Sequence, residues 1–305
     1  MAEFITESDI VDFEGFEDVV DRLLLRKAET YLEQILAEFA PAGRGIEMFS
    51  TKLRGGLAFR QGELTCWAGY NGHRKSMFTG QLVLDLIVQK KRVMMASFEM
   101  QPSRTLARMA KQAWGRPDPT PEQIAVFTRW TGDKLWMFDH VGRLTPSKCL
   151  AMCRHFSHEK HGHHVVIDSM MMVCASEESM DEQKQLVTDL VRLAVERNLH
   201  IHLVTHCRKP QYGEGKPPGK YDLRGSSAIS DQAHNVVTIW ANKAKKAKLE
   251  EGCDPGIINE PDALITVEKQ RNGRWEGRCK LWFDEQSMRF ADSANFDLQP
   301  YAGLQ

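Results

Sequence analysis

Lys75 and Ser76 close the run Gly-Glu-Leu-Thr-Cys-Trp-Ala-Gly-Tyr-Asn-Gly-His-Arg-Lys-Ser, Gly62 to Ser76, which reads as a buried strand, a glycine loop and a helix start. The chemistry of such a run is the holding of a nucleoside triphosphate with Mg²⁺. Successive backbone N–H groups and the helix N-terminus surround the phosphates, a lysine reaches their outer oxygens, and a serine hydroxyl holds the metal. Gly69, Lys75 and Ser76 stand at the required spacing, with Asn71, Gly72, His73 and Arg74 as the loop residues that would surround the phosphates. The departure is Arg74, where the usual pattern has glycine. If that position needs a positive φ, a non-glycine residue costs about 1–2 kcal/mol. Bound phosphate can offset that cost, and the arginine is itself a candidate phosphate contact.

Three further residues could complete such a site. His164-Val165-Val166-Ile167-Asp168 is an apolar run ending in aspartate, and an aspartate at a strand end can hold Mg²⁺ through water. Val93-Met94-Met95-Ala96-Ser97-Phe98-Glu99 places Glu99 after another apolar run, as a base for the attacking water. Leu203-Val204-Thr205-His206 places an imidazole after a third, able to sense the terminal phosphate.

These residues meet only if their strands lie parallel in one sheet, because ligands of open α/β sheets sit beyond the carboxyl ends of the strands. The pattern fits. Strand-like runs at 64–68, 92–97, 135–138, 165–168 and 200–205 alternate with helical stretches at 77–89, 104–114, 146–158 and 181–197, predicting a doubly wound, mostly parallel α/β sheet. Runs at 235–240, 263–268 and 279–283, without clear helices between the last of them, predict an antiparallel extension. From Asp18 to Phe39, apolar residues recur at helical spacing until Pro41, Gly43 and Gly45 intervene. This predicts an N-terminal helical arm and linker over 1–44, packed on its own domain or on a neighbouring subunit, ahead of one domain over 45–305. Lys209–Lys220 and Lys243–Pro255 read as exposed loops.

The 305 residues, 42% hydrophobic and 27% charged, suffice for one large domain and a flanking segment. With 40 Lys+Arg against 41 Asp+Glu, no global basic excess points to nucleic acid, so such a site must be local. One local excess exists. In Cys207–Gly225, Arg208, Lys209, Lys216, Lys220 and Arg224 outnumber Glu214 and Asp222 by five to two, a local +3 on a glycine-rich segment. Seven scattered cysteines fit reduced thiols in the cytoplasm, and nowhere are there 18 consecutive apolar residues, so no membrane is expected.

Cys149, Cys153, His155, His158, His161, His163 and His164 crowd together, but their spacing fits no standard zinc pattern, and a solvated helical face carrying chance histidines is the expectation. Lys243–Lys248 is a second basic patch or a solvated loop.

Taken together, the blocks resemble a known family: the ring-shaped replicative DNA helicases, meaning the helicase half of bacteriophage primase-helicases, mitochondrial Twinkle and bacterial DnaB. The likeness runs from about Gly45 to Phe283, through the phosphate loop, Ser97–Met100, Val166–Asp168, Ala175–Ser179, Val204–His206, Asp222-Leu223-Arg224-Gly225-Ser226 and Lys269-Gln270-Arg271-Asn272-Gly273. The last two are the most specific, since generic ATPases lack them. The resemblance implies a RecA-like core, ATP or another nucleotide with Mg²⁺, and a role for each matching position. Lys75 and Ser76 would serve phosphate and Mg²⁺, Glu99 would be the base, Asp168 the metal-site aspartate and His206 the γ-phosphate sensor. Arg271, with Lys269 beside it, matches a finger reaching the adjacent subunit's nucleotide.

The same resemblance implies a hexamer translocating 5′→3′ on single-stranded DNA at a replication fork. Its basic loop would face the central channel, with Gly225 and Ser226 closing that segment. No C-x-x-C pair exists, so the zinc-binding primase half of some relatives is not expected here, which leaves room for a separate primase and polymerase and suggests a phage or plasmid replication protein. Two other readings stay open: a filament-forming recombinase, and a nucleotide-gated DNA clamp or loading factor in which Arg74 has impaired hydrolysis.

Overall fold

In the computed structural model, residues 27–39, 46–174, 179–208, 215–225, 227–252, 255–295 and 297–304 are described. Contacts divide the chain into two units, Met1–Arg44 and Gly45–Gln305. Of the predicted arm and linker, residues 1–26 and 40–44 lie outside the described residues. The rest is a 3-10 turn, Ala28–Tyr31, continued by a helix, Leu32–Phe39, with Leu32, Ile35, Leu36 and Phe39 at the spacing of one face.

The second unit is built on a nine-stranded sheet. Its parallel part comprises β3 (Leu64–Ala68), β4 (Val93–Ser97), β5 (Leu135–Met137), β6 (His164–Asp168), β7 (His200–Val204) and β8 (Asn235–Ala241). Antiparallel β9 (Ala263–Gln270), β10 (Gly277–Asp284) and β11 (Arg289–Ala291) extend it beyond β8. The order is β11-β10-β9-β8-β3-β7-β6-β4-β5, and a small hairpin, β1 (Ile46–Glu47) with β2 (Ala58–Phe59), stands apart from it. The predicted sheet is present, but its antiparallel extension begins one strand later than expected: the run at 235–240 is β8, parallel to β3, and antiparallel pairing starts at β9. β11 and the hairpin are additions to the expected strands.

Strand alternation sends side chains to two cores. Leu64, Cys66, Val165, Ile167, Ile201 and Leu203 pack with Phe156 of the helix Pro146–Lys160 and Leu186 and Leu190 of the helix Met180–Arg197. On the opposite face Trp67, Val166 and Val204 pack with Phe78 and Leu82 of the helix Lys75–Val88, Met109 of the helix Pro102–Trp114 and Phe127 of the helix Pro121–Thr131. The central strands are buried on both faces and so are mainly apolar, interrupted by Thr65, His164, His200 and His202.

The helix Pro121–Thr131 was missed although its start is written in the sequence. Thr120 accepts from Gln123 N–H at 3.3 Å while Gln123 Oε1 accepts from Thr120 N–H at 3.0 Å, a capping box with Pro121 at the first position. The expected loop at Lys243–Pro255 is also corrected: Lys243–Glu250 is a helix. Asn242 caps it by accepting from Lys245 N–H at 3.0 Å. Lys245 is buried, its ammonium 2.7 Å from Asp262 and donating to the carbonyls of Ile258 and Glu260, so this lysine is an internal tie and not part of a surface patch.

His164 is likewise no member of a solvated helical face. It is a fully buried β6 residue, facing His200 and His202 of β7, with ring centroids 5.5 and 5.4 Å away. Trp67 Nε1–H donates to His202 Nδ1 at 3.2 Å, which leaves the His202 proton on Nε2, aimed at His164 Nδ1 at 3.2 Å. His164 Nε2–H then donates to the Gln61 amide oxygen once that amide is turned to donate to the His163 and Asn198 carbonyls. Among the described residues no group of three or more His, Cys, Asp or Glu is placed to hold a metal ion, and the six described cysteines are free and buried.

Candidate functional site

β3, β4, β6 and β7 run parallel and end along one edge, where the expected residues gather. Asn71, Gly72, Lys75, Ser76, Glu99, Asp168 and His206 line one cleft of about 510 Å³.

The phosphate loop leaves β3 at Gly69, where a Cβ would lie 2.4 Å from the Ile239 carbonyl oxygen of β8, so only glycine fits. Gly72 has φ +74°. His73 and Arg74 also line the cleft, but the His73 ring is fully buried and accepts from Ala241 N–H at 2.9 Å. Arg74 has φ 63° and ψ 23°, the left-handed geometry that favours glycine. Its side chain engages protein: the guanidinium carbon stands 4.1 Å over the Phe283 ring, and Nη2 donates to Glu285 Oε1. The Arg74 carbonyl accepts from Phe78 N–H at 3.0 Å and so begins the helix Lys75–Val88.

Lys75 is buried, with Nζ 3.0 Å from the Gly69 carbonyl oxygen, 2.9 Å from that of Tyr70 and 3.2 Å from His206 Nδ1. Burial lowers its pKa, opposed by the nearby carboxylates Asp168 and Glu99. Asp168, at the end of β6, is buried and hydrogen-bonded by the Ser76 hydroxyl. Burial pushes its carboxyl upward, so a cation there would relieve the desolvation. Glu99 accepts from Ser169 Oγ–H at 3.0 Å and lies 3.9 Å from His206 Nε2. His206, then Ser169, hold its carboxyl below the usual range against the effect of burial, which keeps it ionised and able to accept a proton, although it makes it a weaker base.

His206 links this cleft to the basic loop. Its carbonyl accepts from Arg224 N–H at 2.8 Å, Cys207 bridges Leu223, and Cys207 N–H donates to the Gly69 carbonyl at 3.0 Å. Arg224 therefore lines the cleft and does not stand out with the loop. Arg208 and Lys216 are exposed and Lys220 half-buried, whereas Lys209 and Ser226 lie outside the described residues. Gly225 is buried, with φ +106°, and a Cβ there would meet Gln183 Oε1 at 2.0 Å, so it serves packing. Of the Ala175–Ser179 block, residues 175–178 lie outside the described residues.

Lys269 and Arg271 lie off the cleft of their own chain. Lys269 Nζ donates to the carbonyls of Ser230 and Asp231 at 2.9 and 2.8 Å, and Arg271 Nη2 to that of Asp231 at 3.2 Å. Sequence reasoning missed Arg108 and Arg143, which also line the cleft, and Lys243, whose Nζ is 3.4 Å from the Asn71 carbonyl oxygen. Arg108 belongs to a helix and Arg143 to a loop, and neither carries a local motif.

The DnaB-like helicase C-terminal domain family matches residues 45–292. Among solved structures, an ATPase domain superposes with a TM-score of 0.71 at 15% identity, covering 89% of this chain and 99% of that one. A DnaB-like replicative helicase, determined with its interactions with primase, superposes with a TM-score of 0.68 at 16% identity, covering 87% of this chain and 67% of that one. At those identities the likeness is one of fold, and both share the RecA-like arrangement of a mostly parallel sheet. Over most of its length, then, the chain belongs to the DnaB-like helicase C-terminal domain family.

Proposed function

We propose that this chain is an ATP-dependent replicative DNA helicase, working in the cytoplasm as a hexameric ring that moves 5′→3′ on single-stranded DNA beside a separate primase and polymerase. The observation that carries the reading is the convergence of Lys75, Ser76, Glu99, Asp168 and His206 on one cleft at one sheet edge. Among the described residues no helix is long and apolar enough to cross a membrane.

Lys75 exchanges its loop carbonyls for phosphate oxygens. The Ser76 hydroxyl and Asp168 would hold Mg²⁺, which, when bound, supplies positive charge against the β- and γ-phosphates. Glu99, held ionised, takes a proton from water as the water oxygen bonds to the γ-phosphorus and the bond to the β,γ-bridging oxygen breaks, leaving ADP and phosphate. His206, between Glu99 and Lys75, reads the γ-phosphate and passes its position to Arg224 and the basic loop. Arg271 of one subunit completes the cleft of the next, so hydrolysis depends on assembly. Arg208, Lys216 and Lys220 line the channel for the phosphodiester, where repetition around a ring sums a modest local charge.

Steady-state ATP hydrolysis across protein concentration, with and without single-stranded DNA, tests this. A specific activity that rises with concentration and with DNA is expected. Nucleotide binding without hydrolysis would replace the motor by a nucleotide-gated clamp.

A further inference from the structure

We propose that Arg74 is a positioning residue that clamps the phosphate loop to the β10–β11 turn through Glu285, with Phe283 as its platform. The proposal rests on the nucleotide site described above.

The loop is tied on one side by Gly69, against β8, and by the His73 ring, which accepts from Ala241 N–H. Its other side carries a positive-φ residue with no side-chain cap, at the point where the helix Lys75–Val88 begins. In the usual pattern glycine takes that geometry and offers no side chain. Here a guanidinium leaves the backbone, stacks on Phe283 of β10 and donates to Glu285 in the following turn. Lys246 Nζ stands 3.4 Å from the same Glu285 oxygen, so one carboxylate gathers two cations from separate elements. The turn is fixed in its own right, since Asp284 accepts from the Ser287 N–H at 2.9 Å and also from its hydroxyl. Glu285 is thus a firm anchor. The Arg74 side chain is only 19% exposed, whereas Glu285 is 55% exposed, so the carboxylate can be changed without opening a core.

A loop held in its phosphate-binding shape loses less freedom when the ligand arrives. Releasing the clamp should weaken nucleotide binding and leave the chemical step, which Glu99 and His206 perform, near its original rate. An arginine acting directly on phosphate gives a different pattern, because Glu285 would then compete for it and its removal would strengthen binding.

The experiment measures affinity for a fluorescent ATP analogue with Mg²⁺, and KM and kcat for ATP, in wild type, Arg74→Ala, Glu285→Gln and the double variant. Thermal melting without nucleotide shows that each is folded, and Glu285→Gln preserves volume in case Arg74→Ala does not fold. The expected result is Kd and KM raised about tenfold in each single variant and no further in the double, as for two residues acting as a unit, with kcat within about twofold. Additive effects in the double variant, tighter binding in Glu285→Gln, or a loss confined to kcat would each overturn the clamp while leaving the nucleotide site standing. Failure of the wild type to bind the analogue would overturn both.

Discussion

The side-chain amide of Asn272 donates to the Glu63 carboxylate at 2.8 Å, joining the Lys269–Gly273 block to the residue just before β3, the strand that feeds the phosphate loop. Glu63 is buried and also accepts from the Asn235 amide at 3.1 Å. Between these anchors Arg271 N–H donates to the His234 carbonyl at 2.8 Å, so the backbone of the candidate finger is fixed while its guanidinium reaches the surface. Asn272→Ala removes a donor from a buried carboxylate, and unfolding in urea should show a loss of about 1–3 kcal/mol. ATP hydrolysis by the assembled protein should fall by more than that loss explains, because Arg271 is loosened.

Glu99→Gln keeps the shape of the side chain and removes the carboxylate proposed as the base. Single-turnover phosphate release should slow by about 10²- to 10⁴-fold. Binding of a fluorescent ATP analogue should stay within a few-fold of wild type, since Lys75 and the loop backbone hold the phosphates.

His164, His200 and His202 are buried and neutral, and burial is the chief cause that lowers all three, His200 to about 4. In the unfolded chain they titrate near 6.5. Their contribution is therefore fully present above that pH and is lost as pH falls from about 6.5 towards 4, where only the unfolded state takes up protons. Asp85, raised to about 7 by burial, works in the opposite direction over an overlapping range, so a variant comparison isolates the imidazoles. His200→Asn should flatten the wild-type dependence of unfolding free energy between pH 6 and 5 by about 1.4 kcal/mol per pH unit. Identical slopes in urea titrations would count against it.

Gly225→Ala places a methyl against Gln183 Oε1 at a backbone angle that disfavours alanine. A cost of about 1–3 kcal/mol follows from the overpacking. Single-stranded DNA binding should weaken with it, since Leu223 and Arg224 pair the base of the basic loop with Cys207 and His206. Fluorescence anisotropy with a labelled oligonucleotide, beside a melting curve, reads both effects.

Binding to single-stranded DNA should fall as salt rises. Arg208→Ala should reduce the slope of log K against log salt by about 0.7 for one lost phosphate contact. An unchanged slope would remove Arg208 from the interface.

The sequence alone determined the parallel strands β3 to β7 and the residues at their ends, because each is a local pattern: an apolar run, a glycine loop, a carboxylate or imidazole immediately after. It also located the strands of the antiparallel extension, but pairing decided that β8 is still parallel, because direction depends on a partner distant in the chain. The helix Lys243–Glu250 was hidden because a lysine-rich run is polar on every face unless one lysine, here Lys245, is drawn inward by Asp262. Likewise, the positive φ at Arg74 could be posed from spacing as a condition, but the destination of its side chain could not. Only the tertiary structure decided that Arg74 meets Phe283 and Glu285, that the His73 ring serves β8, that Arg224 lines the nucleotide cleft, and that Asn272 answers Glu63. Each of these contacts joins segments well apart in the chain. The spacing within a motif fixes which residues stand side by side along one element, but the register and packing of separate elements decide what each side chain finally touches.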